Sequence, residues 1–249
     1  MLLPLFHPED LYHHFRALYD CFQRADALLA QTPYSAALFE RLLPGSRPLA
    51  LGLGIDPAEL DAPHISGARF RQQHGLGDAP LALFVGRKEE HKRYDLAVDA
   101  IECVTDPRAR LVLIGADVDR RPITSARARY LGPLPRAELL DAYDACDVFV
   151  LPSEHESFGV VFLEAWMRGK PVIGNARCQP VRSVIEDGVD GLLAEDSAQL
   201  ADCLNGLFAD PQRAARLGAA GREKVLARYT WERIGRRVHE LYLRLTAGR

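Results

Sequence analysis

The 249-residue chain holds only five cysteines, two methionines and two tryptophans. The cysteines, at positions 21, 103, 146, 178 and 203, form no Cys-x-x-Cys pair and no histidine cluster at metal spacing. That excludes a disulfide framework or a zinc motif and reads as cytosolic thiols, mostly buried. No apolar run approaches the ~18 residues of a membrane span. Met1-Leu2-Leu3-Pro4-Leu5-Phe6 is too short for a signal peptide and lacks a basic start. Excess charge of one sign is also missing. A net charge of −3 gives no global drive toward nucleic acid, so any phosphate binding must be local. No Gly-x-Gly-x-x-Gly follows the first strand, which argues against a generic dinucleotide site. There is no internal repeat and no low-complexity stretch.

What remains is an ordinary globular balance, 48% hydrophobic and 26% charged. Residues 9–30 read as helical, with Leu11, Phe15, Leu18, Tyr19 and Phe22 at helical spacing, although 27–32 also reads as a strand. A helix over 34–43 and a strand near 48–53 follow. Then come helix 66–74, strand 81–85, helix 93–103, strand 110–114, short strand 128–131, helix 136–144 and strand 147–151. The remainder reads as helix 159–168, strand 171–174, short strand 191–194, helices 197–208 and 210–227, and a last helix from 230 to 246 with Thr230 as its N-cap. Strands alternating with helices argue an α/β fold, a Rossmann-like, doubly wound parallel sheet with right-handed crossovers.

The most informative stretch is Glu156-Ser157-Phe158-Gly159-Val160-Val161-Phe162-Leu163-Glu164, between an apolar strand closed by Pro152-Ser153 and the segment Gly169-Lys170-Pro171-Val172-Ile173. Free N–H groups at a helix start favour an anion. Gly159 lacks a Cβ, so a diphosphate can approach the backbone of Phe158, Gly159 and Val160 closely. Glu156 lies on the loop and Glu164 about 7 Å along the helix axis from Gly159. One carboxylate can then serve a sugar and the other a ribose, through charge-assisted bonds to vicinal hydroxyls. The competing reading is two surface acids facing solvent or Arg168.

Upstream, the strand Leu81-Ala82-Leu83-Phe84-Val85 ends in Gly86-Arg87, with Lys92 five residues on. Cations beyond the carboxyl end of a parallel strand suit a pyrophosphate, Arg as a fork and Lys as a point charge. The competing reading is a solvated charged loop, the default for Lys88, Glu89 and Glu90. His7 reads as a strand-end or loop residue, His155 as exposed, and Asp117 as a turn residue or the border of a base pocket. Cys178 reads as packing, because no base stands beside it.

Together these motifs resemble the E-x7-E and Gly-Arg…Lys-Gly regions of the retaining glycosyltransferases of family 4, whose GT-B fold sets two Rossmann-like domains across a cleft. The resemblance implies that Glu156 contacts the donor sugar and Glu164 the ribose. It implies that Arg87 and Lys92 bind the diphosphate and stabilise the leaving nucleotide, with Gly86, Ser157, Phe158, Gly159 and Val160 lining the site. Arg87, Lys92 and Glu156 are the expected catalytic residues. Gly54-Ile55-Asp56 resembles the family's interdomain Gly-Val-Asp, Leu131-Gly132 the segment whose backbone reads the base, and 185–193 the turn before the last strand. Two departures stand out. Arg93 occupies the position where the family usually has Gly. Asn175–Ser183 lacks the family's glycines and Glu near the sugar.

No cofactor is expected beyond a nucleotide diphosphate sugar as donor. No metal is expected: the reading finds no Asp-x-Asp triplet, and two cations and a helix terminus take its place. Expected partners are the nucleotide sugar and a sugar or lipid-linked acceptor, and no nucleic acid. The expected location is cytoplasmic, or peripheral at the inner membrane face. Two Rossmann-like domains need roughly 300 residues. We therefore expect residues 1–47 to be a remnant of the acceptor-side domain, 48–228 the nucleotide-sugar-binding domain, and 229–249 a helix crossing back to the N-terminal part. A partner chain or missing N-terminal domain would complete the enzyme. The alternatives are a nucleotide-sugar-binding module needing a partner for turnover, or another GT-B enzyme such as a sugar-nucleotide epimerase or phosphorylase.

Overall fold

The computed structural model describes residues 8–247; the expectation for His7 lies outside them. Its centre is a six-stranded, all-parallel sheet. The strands are β3 (Leu81–Val85), β4 (Arg110–Ile114), β5 (Ala128–Tyr130), β6 (Val148–Leu151), β7 (Val172–Asn175) and β8 (Gly191–Ala194). Every residue of β3, β6 and β7 is buried. That is why β3 and β6 read as unbroken apolar runs: helices cover both faces, so neither face needs polar residues.

The spatial order is β5-β4-β3-β6-β7-β8. From β3 the chain runs outward one way through β4 and β5, then returns to β6 and runs outward the other way. The reversal between β3 and β6 opens a crevice beyond their carboxyl ends, where doubly wound sheets bind ligands. Gly86-Arg87 and Pro152-Ser153 leave the sheet at that point.

The covering helices lie where their apolar spacing put them. They are α4 (Gly67–Gln73), α5 (Tyr94–Cys103), α6 (Arg136–Ala145), α7 (Val160–Met167), α9 (Ser197–Ala209) and α10 (Pro211–Arg228), with α11 (Trp231–Ala247) following α10 and packing against it. α4 packs on α6, α5 on α9, and α7 on α10. Ser66, Asp196 and Asp210 cap α4, α9 and α10 by accepting main-chain N–H bonds. The Thr230 hydroxyl accepts from the Arg233 N–H at 3.2 Å, as its N-cap reading requires. Two short helices, α3 (Pro57–Leu60) and α8 (Gln179–Arg182), were not anticipated.

Ahead of the sheet lie α1 (Pro8–Arg24), β1 (Leu29–Ala30), α2 (Pro33–Leu42) and β2 (Leu49–Ala50). The first helix stops at Arg24, short of the expected 30, and the strands near 27–32 and 48–53 contract to two residues each. β1 and β2 pair in parallel with each other and form a sheet separate from the main one. The start of α11 bonds to the same region. Ile55 N–H donates to Tyr229 and Trp231 N–H donates to Ile55, at 2.9 and 3.1 Å. The Arg237 guanidinium donates to the Ala50 and Leu51 carbonyls at 2.7 and 3.0 Å. Among the described residues no helix is long and apolar enough to cross a membrane.

Candidate functional site

The loop after β3 carries Arg87 and Lys92; the loop after β6 carries Glu156. The crevice between these neighbouring strands brings Lys92 Nζ to 2.7 Å from Glu156 Oε2, across 64 positions of sequence. Both side chains are about one-seventh exposed, at 14% and 13%. Arg87 reaches outward, with its Nε 2.8 Å from Glu89 Oε1. Gly86 continues the main-chain ladder, donating to Ile114 at 2.9 Å. The structure therefore gathers Gly86, Arg87, Lys92 and Glu156 at one end of the sheet.

The helix α7 begins one residue later than expected. Gly159 stands just before it at φ 84°, a left-handed conformation that favours glycine. A Cβ there would meet the Phe162 ring at 2.6 Å and the Glu156 Cγ at 3.4 Å. No side chain caps this terminus among the described residues, so its first N–H groups are open to an anion. Ser157 and Val160 are exposed beside it. The Phe158 side chain is fully buried, edge-on to Tyr229 at 5.3 Å, so it can offer a ligand only its backbone.

Glu164 lies inside α7 and is mostly buried, but its partner is not Arg168. Its Oε1 accepts from Arg136 at 2.6 Å and its Oε2 from the Tyr143 hydroxyl at 2.7 Å. Arg168 instead pairs with Asp144 and Asp61. A carboxylate offers about four acceptor positions, so Glu164 still has capacity for a ribose diol. Burial, with the Glu164 charge beside it, pushes the Tyr143 phenol well above its ordinary range and keeps it a neutral donor. Burial disfavours the Arg136 cation, yet its bonds to Glu59 and Glu164 outweigh that and raise its pKa. Arg136 was missed in the sequence. The available signal was a cation in the first turn of a helix, against the macrodipole.

Lys88 overturns the expectation of a solvated loop. It is 2% exposed, with Nζ 2.7 Å from Asp117 Oδ1, 2.6 Å from Asp119 Oδ1 and 2.7 Å from the Arg121 carbonyl. The Tyr94 hydroxyl donates to Asp119 at 2.6 Å. Burial opposes charge on Asp119, but the Lys88 and Tyr94 bonds overcome it and bring the carboxyl down to about 2. Glu89, also expected to be solvated, is half-buried between Arg87 and His91. Asp117-Val118-Asp119 is an Asp-x-Asp triplet that the sequence reading overlooked, and both carboxylates hold Lys88. Asp117 also accepts the Arg120 N–H at 2.9 Å, which is a turn role.

Arg93, where the family usually has Gly, sits at φ 49° and ψ 41°. That left-handed conformation costs a residue with a Cβ about 1–2 kcal/mol. His155 is exposed as expected. Cys178 is buried, and burial raises its thiol pKa, so it stays protonated and packs. Of the five cysteines only Cys146 and Cys178 are buried, while Cys21 and Cys103 are exposed, which corrects the expectation that most are buried.

A six-stranded parallel sheet with helices on both faces, an ion pair at its switch point and an uncapped helix terminus beside it defines a Rossmann-like α/β unit. Residues 67–224 match the family model described as glycosyl transferases group 1. The chain belongs to that family. It is 33% identical over 246 residues to a D-inositol 3-phosphate glycosyltransferase of Xylanimonas cellulosilytica, a match covering 90% of this chain and 58% of the relative. Sucrose-phosphate synthase from Thermosynechococcus elongatus superposes with TM-score 0.81 at 26% identity, covering 96% of this chain and 63% of that one. The Anabaena protein HepE, solved with UDP and glucose, superposes with TM-score 0.79 at 22% identity, over 92% and 66%. This chain thus spans only part of the length of each.

Proposed function

We propose that the chain is the donor-binding part of a retaining family 4 glycosyltransferase, which moves a sugar from a nucleotide diphosphate sugar to a hydroxyl acceptor. The observation that carries this reading is the Lys92–Glu156 pair, 2.7 Å apart at the topological switch point. The two charges neutralise each other across the crevice. An entering donor exchanges the pair: its diphosphate takes Lys92 and Arg87, and its sugar hydroxyls take Glu156. Main-chain N–H groups at the start of α7 hold further phosphate oxygen, and Glu164 accepts from the ribose. In the transition state the two cations stabilise charge on the departing nucleotide diphosphate. The relative named as a glycosyltransferase and the fold neighbour solved with UDP support the same substrate class.

On this reading residues 48–228 form the donor domain, 1–47 belong to the acceptor side, and 229–249 tie the two. Leu18, Tyr19, Leu38, Leu42, Tyr242 and Leu243 are exposed apolar side chains on α1, α2 and α11. They suit a surface that the rest of an acceptor domain would cover. A module that binds donor but needs a partner chain for turnover is the second reading, favoured by these exposed apolar side chains. A cytoplasmic or peripheral location fits the free thiols and the absence of a spanning helix among the described residues.

Calorimetric titration with UDP, GDP and ADP, each alone and as a sugar conjugate, tests the proposal. Selective binding of one diphosphate, lost in Arg87→Ala/Lys92→Ala down to the level of the bare nucleoside, is expected. A diphosphate preference that survives the double substitution would sink the phosphate site. Turnover by the isolated chain separates the enzyme from the module.

A further inference from the structure

The loops after β3 and β6 are tied at three consecutive positions. The His91 carbonyl accepts the Glu154 N–H at 2.9 Å. Lys92 meets Glu156 at 2.7 Å. The Arg93 guanidinium donates to the Glu154 carboxylate, and its remaining N–H groups hold Asp95 at 3.1 Å. Arg93 makes these bonds from a left-handed backbone position that glycine would occupy without strain. Its side chain is 27% exposed and that of Glu154 44%. A pair this open adds little to stability, so what it adds is a fixed geometry.

We infer that Arg93 and Glu154 form a clasp that positions Lys92 and Glu156 for the donor. The inference rests on the donor-site reading above and concerns how that site stays assembled once it is occupied. When a diphosphate draws Lys92 off Glu156, the direct tie between the two functional side chains is lost. The Arg93–Glu154 pair and the His91–Glu154 main-chain bond then hold the loops together, and neither needs to contact the ligand. Without Arg93, the Glu154–His91 main-chain bond and the His91–His155 ring contact at 6.5 Å are left across the gap, and Lys92 and Glu156 move apart. Arg93 and Glu154 are positioning residues: they act through their neighbours and not on the reacting atoms.

The test compares calorimetric affinities of the purified chain for a nucleoside, its diphosphate and the diphosphate sugar, using whichever base the wild type binds. Arg93→Ala and Glu154→Gln should each leave nucleoside affinity unchanged. Each should lower diphosphate-sugar affinity by about three- to tenfold, within the range for coupled neighbours. Arg93→Gly, which relaxes the backbone and so keeps the test alive if the Ala variant folds poorly, should show the same selective loss. Arg93→Lys, which keeps a cation beside both Glu154 and Asp95, should retain most of the diphosphate-sugar affinity that Arg93→Ala loses. Unchanged diphosphate-sugar affinity in the single variants, or equal losses for nucleoside and diphosphate sugar, would overturn the clasp while leaving the donor site standing. A wild type that binds none of the ligands would remove the donor site and the clasp together.

Discussion

Replacing Lys88 with Met should destabilise the protein more than any other single change in the β3–α5 loop. The ammonium is 2% exposed and lies within 2.7 Å of both Asp117 and Asp119. Met preserves much of the aliphatic stem and removes the charge, leaving two carboxylates facing one another. Breaking a buried pair in this way costs about 3–5 kcal/mol. The lower end applies here. Asp117 is 34% exposed and can rehydrate, and Asp119 keeps its Tyr94 hydroxyl. At about 2–4 °C per kcal/mol for a chain of this size, a loss of about 3 kcal/mol lowers Tm by about 6–12 °C. Differential scanning calorimetry at pH 7 reads it directly. Adding Asp119→Asn should recover part of the loss, because it removes the charge left unpaired. A Tm within about 2 °C of wild type for Lys88→Met would refute the reasoning, since a solvated lysine could be lost at that cost.

The same cluster sets an acid limit. Asp119 titrates near 2 in the folded chain against an ordinary 3.8, so its stabilisation is complete above pH 4 and is lost as pH falls toward 2, about 2 kcal/mol in all. The Tm gap between wild type and Lys88→Met should therefore narrow over that window in pH-resolved melts, and a constant gap would contradict the assignment. Glu164→Ala should weaken nucleotide binding by about 1–3 kcal/mol if the carboxylate holds the ribose, and calorimetry showing unchanged affinity would leave it a structural partner of Arg136 and Tyr143. Gly221→Ala should cost about 1–3 kcal/mol by overpacking, because its Cβ would stand 2.0 Å from the buried Trp166 ring; an unchanged unfolding midpoint in urea would show that α10 slides away freely.

Much of the sheet was legible because burial on both faces leaves a local signature. Leu81–Val85 and Val148–Leu151 are apolar at every position, and their bounds in the structure agree with the sequence reading to within a residue. Gly159 was legible as a helix-start residue because a left-handed turn has few other occupants. The two-residue strands β1 and β2 were overextended, since apolar spacing shows that a segment is buried but not how far its ladder runs. The solvated reading of Lys88 failed for a related reason. Inside Lys88-Glu89-Glu90-His91-Lys92-Arg93 nothing local separates a buried cation from an exposed one. Its carboxylates come from the loop after β4, about 30 positions away.

The sequence by itself determined the alternation of elements and the parallel α/β class, because each is written in short-range periodicity and in turn chemistry. Pairing was decided only by the tertiary structure. The order β5-β4-β3-β6-β7-β8 places the ends of two strands side by side. That adjacency joins Lys92 to Glu156 and Arg93 to Glu154, and the fold separately brings Arg136 of α6 to Glu164 of α7. Charge attraction acts through space, so its partners are set by which strand ends become neighbours and not by their distance along the chain.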